Sequence, residues 1–155
     1  MAAGRGHLGR RQVTQRPVRI LLRTFAVLLL LAPLGAAAQD ELRGYREALA
    51  RGDYNAVVAE LRPLADAGNA EAQCRLGMLY VEGLGVRPSG ALGASWLRRA
   101  AEQGHGEAQY QLGRLYLSGH GVPEDRREAI AWLTKAAAAG YEPASRQLRQ
   151  LGISK

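Results

Sequence analysis

Few residues in this chain of 155 could carry chemistry, and their spacing assembles no reactive set. There is one cysteine, Cys74, and there are three histidines, His7, His105 and His120. A thiol nucleophile needs a base beside it, and no histidine shares the stretch around Cys74, which therefore reads as a small structural residue. A metal site needs three or four converging ligands, and no spacing of His, Cys, Asp or Glu here supplies them. The glycine-rich stretches GLGV (83–86) and GHGV (119–122) lack the Lys and Ser/Thr of a phosphate loop and the strand of a dinucleotide fold. They read as turns between helices. Glu124, Asp125 and Glu128 sit at a helix start, where capping and the helix dipole account for them. No catalytic, cofactor or metal residues are expected.

The elements that would position any other chemistry are set by a repeat. Asn69 to Gly104 aligns without a gap on His105 to Gly140, matching 15 of 36 positions, among them Leu76/Leu112, Gly77/Gly113, Tyr80/Tyr116, Gly85/Gly121 and Trp96/Trp132. Self-similarity at this period marks units that bury their apolar faces by stacking on neighbours. In each copy a first helix carries the stripe Ala72, Leu76, Leu79, Tyr80 or Ala108, Leu112, Leu115, Tyr116, at i, i+4, i+7 and i+8. Gly83 and Gly119 suit left-handed caps, and Ser89 and Asp125 suit the N-caps of second helices that pack through Trp96, Leu97, Ala100 and Ala101, or Ile130, Trp132, Leu133, Ala136 and Ala137. Gly90 and Gly93 weaken the earlier second helix, at up to about 1 kcal/mol each, and fray its first turn.

Flanking segments extend the array. Asp40 to Arg51 places Leu42, Tyr45 and Leu49 on a helix, Gly52 and Asp53 separate it from a second helix at Tyr54 to Ala67, and Pro63 should bend that helix or break one bond. Tyr141 to Leu151 begins another first helix, with Ala144 and Leu148 in register and Arg149 where glycine is due. The expected fold is an all-α, right-handed α-solenoid of antiparallel helix pairs, about seven helices and no strands. Its parts are a leader (1–38), an N-terminal capping pair (39–68), repeats at 69–104 and 105–140, and a C-terminal capping helix (141–155).

The leader also explains the charge. Of 21 Lys and Arg, six arginines precede residue 39 with no acidic residue among them, leaving 15 basic against 14 acidic groups. Nucleic acid is therefore not an expected partner. The basic opening, the apolar run Phe25 to Leu34 and Ala36 to Ala38 form the pattern of a secretory signal peptide cleaved after Ala38. The run is short against the roughly 20 residues of a span, so stable membrane insertion after cleavage is not expected. The protein is placed in the periplasm or outside the cell, with N-terminal anchoring in the inner membrane as the alternative.

The positions A-x-x-x-L-G-x-x-Y-x-x-G-x-G-V followed by W-L-x-x-A-A-x-x-G resemble the Sel1-like repeat, a relative of the tetratricopeptide repeat. The resemblance implies an adaptor or regulator, often exported in bacteria, that holds a protein or peptide partner in a superhelical groove. Some cysteine-rich members bind β-lactams or peptidoglycan precursors, and a glycan-binding or enzymatic envelope role is the alternative. Those members pair cysteines within each repeat, a pattern absent here.

A groove on the first helices would use positions outside the core stripe. Cys74, Met78 and Val81 in one copy and Tyr110, Arg114 and Leu117 in the other are spaced i, i+4, i+7, and Arg146 and Gln150 continue them. Packing between helices is the preferred reading for Cys74, Met78, Val81 and Leu117, and groove exposure for Tyr110 and Arg114. The partner-binding candidates are Tyr110 and Arg114 first, then Leu117, Met78 and Arg146.

Overall fold

A computed structural model describes residues 42–153, in which the chain forms seven helices and no strand. They are α1 (Arg43–Ala50), α2 (Tyr54–Asp66), α3 (Ala70–Glu82), α4 (Gly90–Glu102), α5 (Gly106–Ser118), α6 (Arg126–Ala138) and α7 (Glu142–Gln150). Each packs on its neighbours in the chain, most extensively within the pairs α3/α4 and α5/α6, as an α-solenoid requires. The signal peptide expected at 1–38 lies outside the described residues.

Local chemistry fixes the boundaries. Asp53 accepts from the Ala56 amide (3.0 Å), Asn69 from Ala72 (3.0 Å), Ser89 from Leu92 (3.3 Å) and Asp125 from Arg127 and Glu128 (2.8 and 3.1 Å), each satisfying amides that a helix start leaves open. α3 and α5 end on Gly83 and Gly119 at φ +72° and +66°. α2 runs on through Pro63, where Ala59 and Pro63 are both exposed, so the missing bond falls on the outer side of the helix.

The apolar stripes are core. Ala72, Leu76, Leu79, Tyr80 and their counterparts Ala108, Leu112, Leu115, Tyr116 are all buried. Two apolar positions are less buried than these stripes. Leu49 is 42% exposed, because the inner face of α1 runs Leu42, Tyr45, Ala48 in steps of three, and Ala48 takes the buried place. Trp96 is half-buried against the N-terminal cluster, whereas its counterpart Trp132 is buried.

The glycines of the earlier repeat have packing roles that their helix propensity conceals. A Cβ on Gly77 would stand 2.8 Å from Leu97 Cγ and 3.0 Å from the Gly93 carbonyl oxygen, and a Cβ on Gly93 would stand 2.8 Å from the Gly77 carbonyl oxygen. α3 and α4 thus cross glycine on glycine. The loops do the same between repeats: a Cβ on Gly85 would lie 2.2 Å from the Tyr54 carbonyl oxygen, and one on Gly121 would lie 2.0 Å from the Gly90 carbonyl carbon. Each loop therefore seats its second glycine on the start of the preceding second helix, and Gly90 is the receiving surface rather than a frayed turn.

Polar joints accompany the apolar ones. Gln73 and Gln109, both buried, donate to the Ala65 and Ala101 carbonyls (3.0 Å each) at the ends of α2 and α4. His105 accepts from the Ala108 amide at Nδ1 (3.3 Å), so Nε2 carries the hydrogen it donates to Glu71 (2.8 Å). Arg75 bridges Glu71 (2.7 Å) and Glu107 (3.4 Å), tying α3 to α5. The hydrogen bond from His105, helped by Arg75 and opposed by burial, holds the Glu71 carboxyl at about 2, well below the usual carboxylate range.

The loop joint and the Glu71 pair can each be tested by stability. Gly121 and Gly140 both have positive φ, +77° and +82°, but nothing lies within 4 Å of a Cβ on Gly140. In urea denaturation Gly140→Ala should cost about 1 kcal/mol, from backbone conformation alone, and Gly121→Ala at least about 3 kcal/mol, because it also drives the loop off α4. Glu71 contributes stability that is complete above its unfolded value of 4.5 and is lost as pH falls from there toward 2. The stability difference between wild type and Glu71→Gln, on the order of 1 kcal/mol near neutrality for a pair about a third exposed, should vanish across that interval in acid titration of unfolding.

Candidate interaction cleft

An open cleft of about 690 Å³ lies against α3 and α5, reached by α4, α7 and the second loop. Its floor includes Leu97 and Leu115, both buried, with half-buried Met78, Val81 and Leu117 beside them. The polar lining is Glu82, Gln111, Arg114, Ser118, His120 and Gln147. The repeat explains this convergence: Met78 and Arg114, Val81 and Leu117, and Gln111 and Gln147 are pairs 36 residues apart, so stacked helices present them side by side.

Of the five candidates read from sequence, Met78, Arg114 and Leu117 line the cleft. Tyr110 does not: it is half-buried, its ring 5.3 Å from that of Tyr141, within the cluster joining α5 to α6 and α7. Its contribution is indirect, since the Arg114 guanidinium stands 5.8 Å from the Tyr110 ring centre. Arg146 is exposed on α7 and its neighbour Gln147 occupies the lining instead. Cys74 and Tyr110 turn toward the helix contacts, and in the row one residue on, Gln111 and Gln147 line the cleft while Arg75 is taken up by Glu71 and Glu107. That second row could have been found by testing which row of the repeat is polar yet half-buried.

Arg114 is exposed, donates to Gln111 Oε1 (3.2 Å), and is absent from the ion pairs of the described residues. His120 packs against Gly90 at the loop end of the cleft. His105 is a half-buried helix cap and lies outside the cleft. Cys74 is fully buried, and burial, reinforced by the Glu107 charge, pushes its thiol up to about 12, which keeps it protonated and inert at neutral pH. Among the described residues no three His, Cys, Asp or Glu side chains converge on a metal-sized position.

The family described as Sel1 repeat matches at residues 70–105 and 106–141. Among solved structures the chain is similar to a Sel1 repeat protein from Oxalobacter formigenes, with 31% identity and a TM-score of 0.67, over 72% of this chain and 45% of that one. It is also similar to c5321, a protective antigen of uropathogenic Escherichia coli strains displaying an SLR fold, with 36% identity and a TM-score of 0.66, over 70% of this chain and 24% of that one. Cysteine rich protein B of Helicobacter pylori shares the fold at 16% identity, with a TM-score of 0.56 over 73% of this chain and 96% of that one. The chain thus spans less than half the length of the first two. No curated protein matches. With the stripes and loop joints of residues 70–141 repeated 36 residues apart and matched by the family's model, this chain is a Sel1-like repeat protein.

Proposed function

We propose that this chain is an exported, non-enzymatic adaptor or regulator that holds a segment of a partner protein in the cleft against α3 and α5. Sel1-like repeats generally mediate protein–protein interaction. The observation that carries the reading is the lining itself: half-buried Met78, Val81 and Leu117 form an apolar strip beside exposed Arg114, with neutral polar groups and Glu82 around them. Surfaces of that composition anchor protein contacts.

Export rests on the sequence of residues 1–38, with cleavage after Ala38 into the periplasm or beyond. Among the described residues no helix is long and apolar enough to cross a membrane. In this reading the pair α1/α2 and the helix α7 are terminal caps, and α7 suits that role because Arg149 replaces the glycine on which a following helix would pack and instead pairs with Glu142 (3.2 Å). Nucleic acid is not proposed as a partner, since the chain after residue 38 is nearly charge-balanced. The glycan-directed alternative rests on paired cysteines, and Cys74 is the sole cysteine.

A photo-crosslinking residue at Leu117 tests the proposal in cells. Leu117 in the cleft should give a discrete adduct with an envelope protein, and the same residue at Glu128, exposed on α6, should not. Equal labelling from both positions, or adducts only from Glu128, would remove the cleft from consideration.

A further inference from the structure

The chemistry of the cleft favours one kind of occupant. Arg114 is held by neutral groups, the Tyr110 ring and the Gln111 amide oxygen, and no carboxylate lies within ion-pair distance of it. A guanidinium with no carboxylate partner of its own can take one from a ligand, and its planar fork matches one carboxylate. Glu82 is the single carboxylate of the lining, and it ends α3 at the level of Ser118, one turn beyond Arg114 along the helices. The Gln147 side-chain amide has no hydrogen-bond partner among the described residues, and Gln111 keeps its amide N–H groups free. Amides offering both donor and acceptor suit the open peptide groups of an extended chain, because a helix satisfies its own.

Building on the reading of the cleft as a docking site, we infer that the bound segment is an extended peptide carrying a carboxylate next to an aliphatic side chain. The carboxylate sits on Arg114, the aliphatic group on Met78, Val81 and Leu117, and the peptide backbone on Gln111 and Gln147. The carboxylate belongs either to an acidic side chain or to a C-terminus, and the two sources can be separated.

The purified full chain is panned against two libraries of short random peptides, one displayed with free C-termini and one flanked at both ends. Enriched peptides should pair an acidic group with a neighbouring aliphatic residue; enrichment in both libraries assigns the carboxylate to Asp or Glu, and enrichment confined to free C-termini assigns it to the terminus. Arg114→Gln should weaken the selected peptides at least about tenfold, and Arg114→Glu should shift selection toward Lys and Arg. Both variants should melt like the wild type by circular dichroism, since Arg114 is exposed. Peptides lacking an acidic group, or unchanged affinity in Arg114→Gln, would overturn the carboxylate inference, and loss of their binding in Leu117→Glu would still leave the cleft standing. Selected peptides that bind Leu117→Glu as well as wild type would overturn the cleft reading itself, and a failure to enrich any peptide would contradict the inference.

Discussion

Everything in this solenoid depends on how closely one repeat's loop can approach the helix before it. Gly85 lies against Tyr54 and Asn55, and Gly121 against Gly90 and Ala91, with no room for a methyl group at either joint. At 36-residue spacing these contacts bring each new first helix onto the preceding second helix in one register. The buried glutamines lock that register, since Gln73 and Gln109 reach carbonyls, Ala65 and Ala101, that are themselves one period apart. Arg62 and Arg98 add hydrogen bonds to the hydroxyls of Tyr80 and Tyr116 across the same joints. The side-by-side placement of Met78 with Arg114 and of Val81 with Leu117, and therefore the cleft, is a consequence of that register.

The joints are not identical. Gln73 Oε1 accepts from Gln103 (2.7 Å), but position 139, the counterpart of Gln103, is alanine, and Gln109 Oε1 has no hydrogen-bond partner among the described residues. The earlier joint is further bound through Glu71, Arg75, His105 and Glu107. At the later joint Tyr110 and Tyr141 pack instead as a tilted ring pair, replacing charge by aromatic contact. Since Tyr110 also positions Arg114, the packing of α5 on α7 and the presentation of the cleft's cation are coupled through one ring.

Much of this architecture is legible in the sequence because its determinants are periodic. Stripes at i, i+4, i+7 and i+8 with caps at Ser89 and Asp125 leave little freedom in where helices begin and which face they bury. Contacts across the period are harder to read. Gly90 and Gly93 look like defects when judged by helix propensity, and only the opposing backbones of Gly121 and Gly77 show what they make possible. Gln73 and Gln109 look like surface residues by type and are buried because each meets a helix-end carbonyl. Helical spacing finds Met78, Arg114 and Leu117 in the cleft but pairs them with Tyr110 and Arg146, whereas the lining beside them is Gln111 and Gln147, a contact between repeats that no single-helix pattern contains.

The signature residues of the repeat thus specify packing, and in the proposed reading recognition falls to the positions between them. That division can be measured on one panel of variants, taking melting temperature and affinity for a cleft-selected peptide on each. Leu112→Ala and Tyr116→Phe should lower the melting temperature while the folded fraction binds as before. Arg114→Gln and Gln147→Ala should lower affinity at unchanged melting temperature. Affinity that falls in proportion to melting temperature across the whole panel would contradict this division, because it would mean that the cleft has no recognition chemistry separable from the fold.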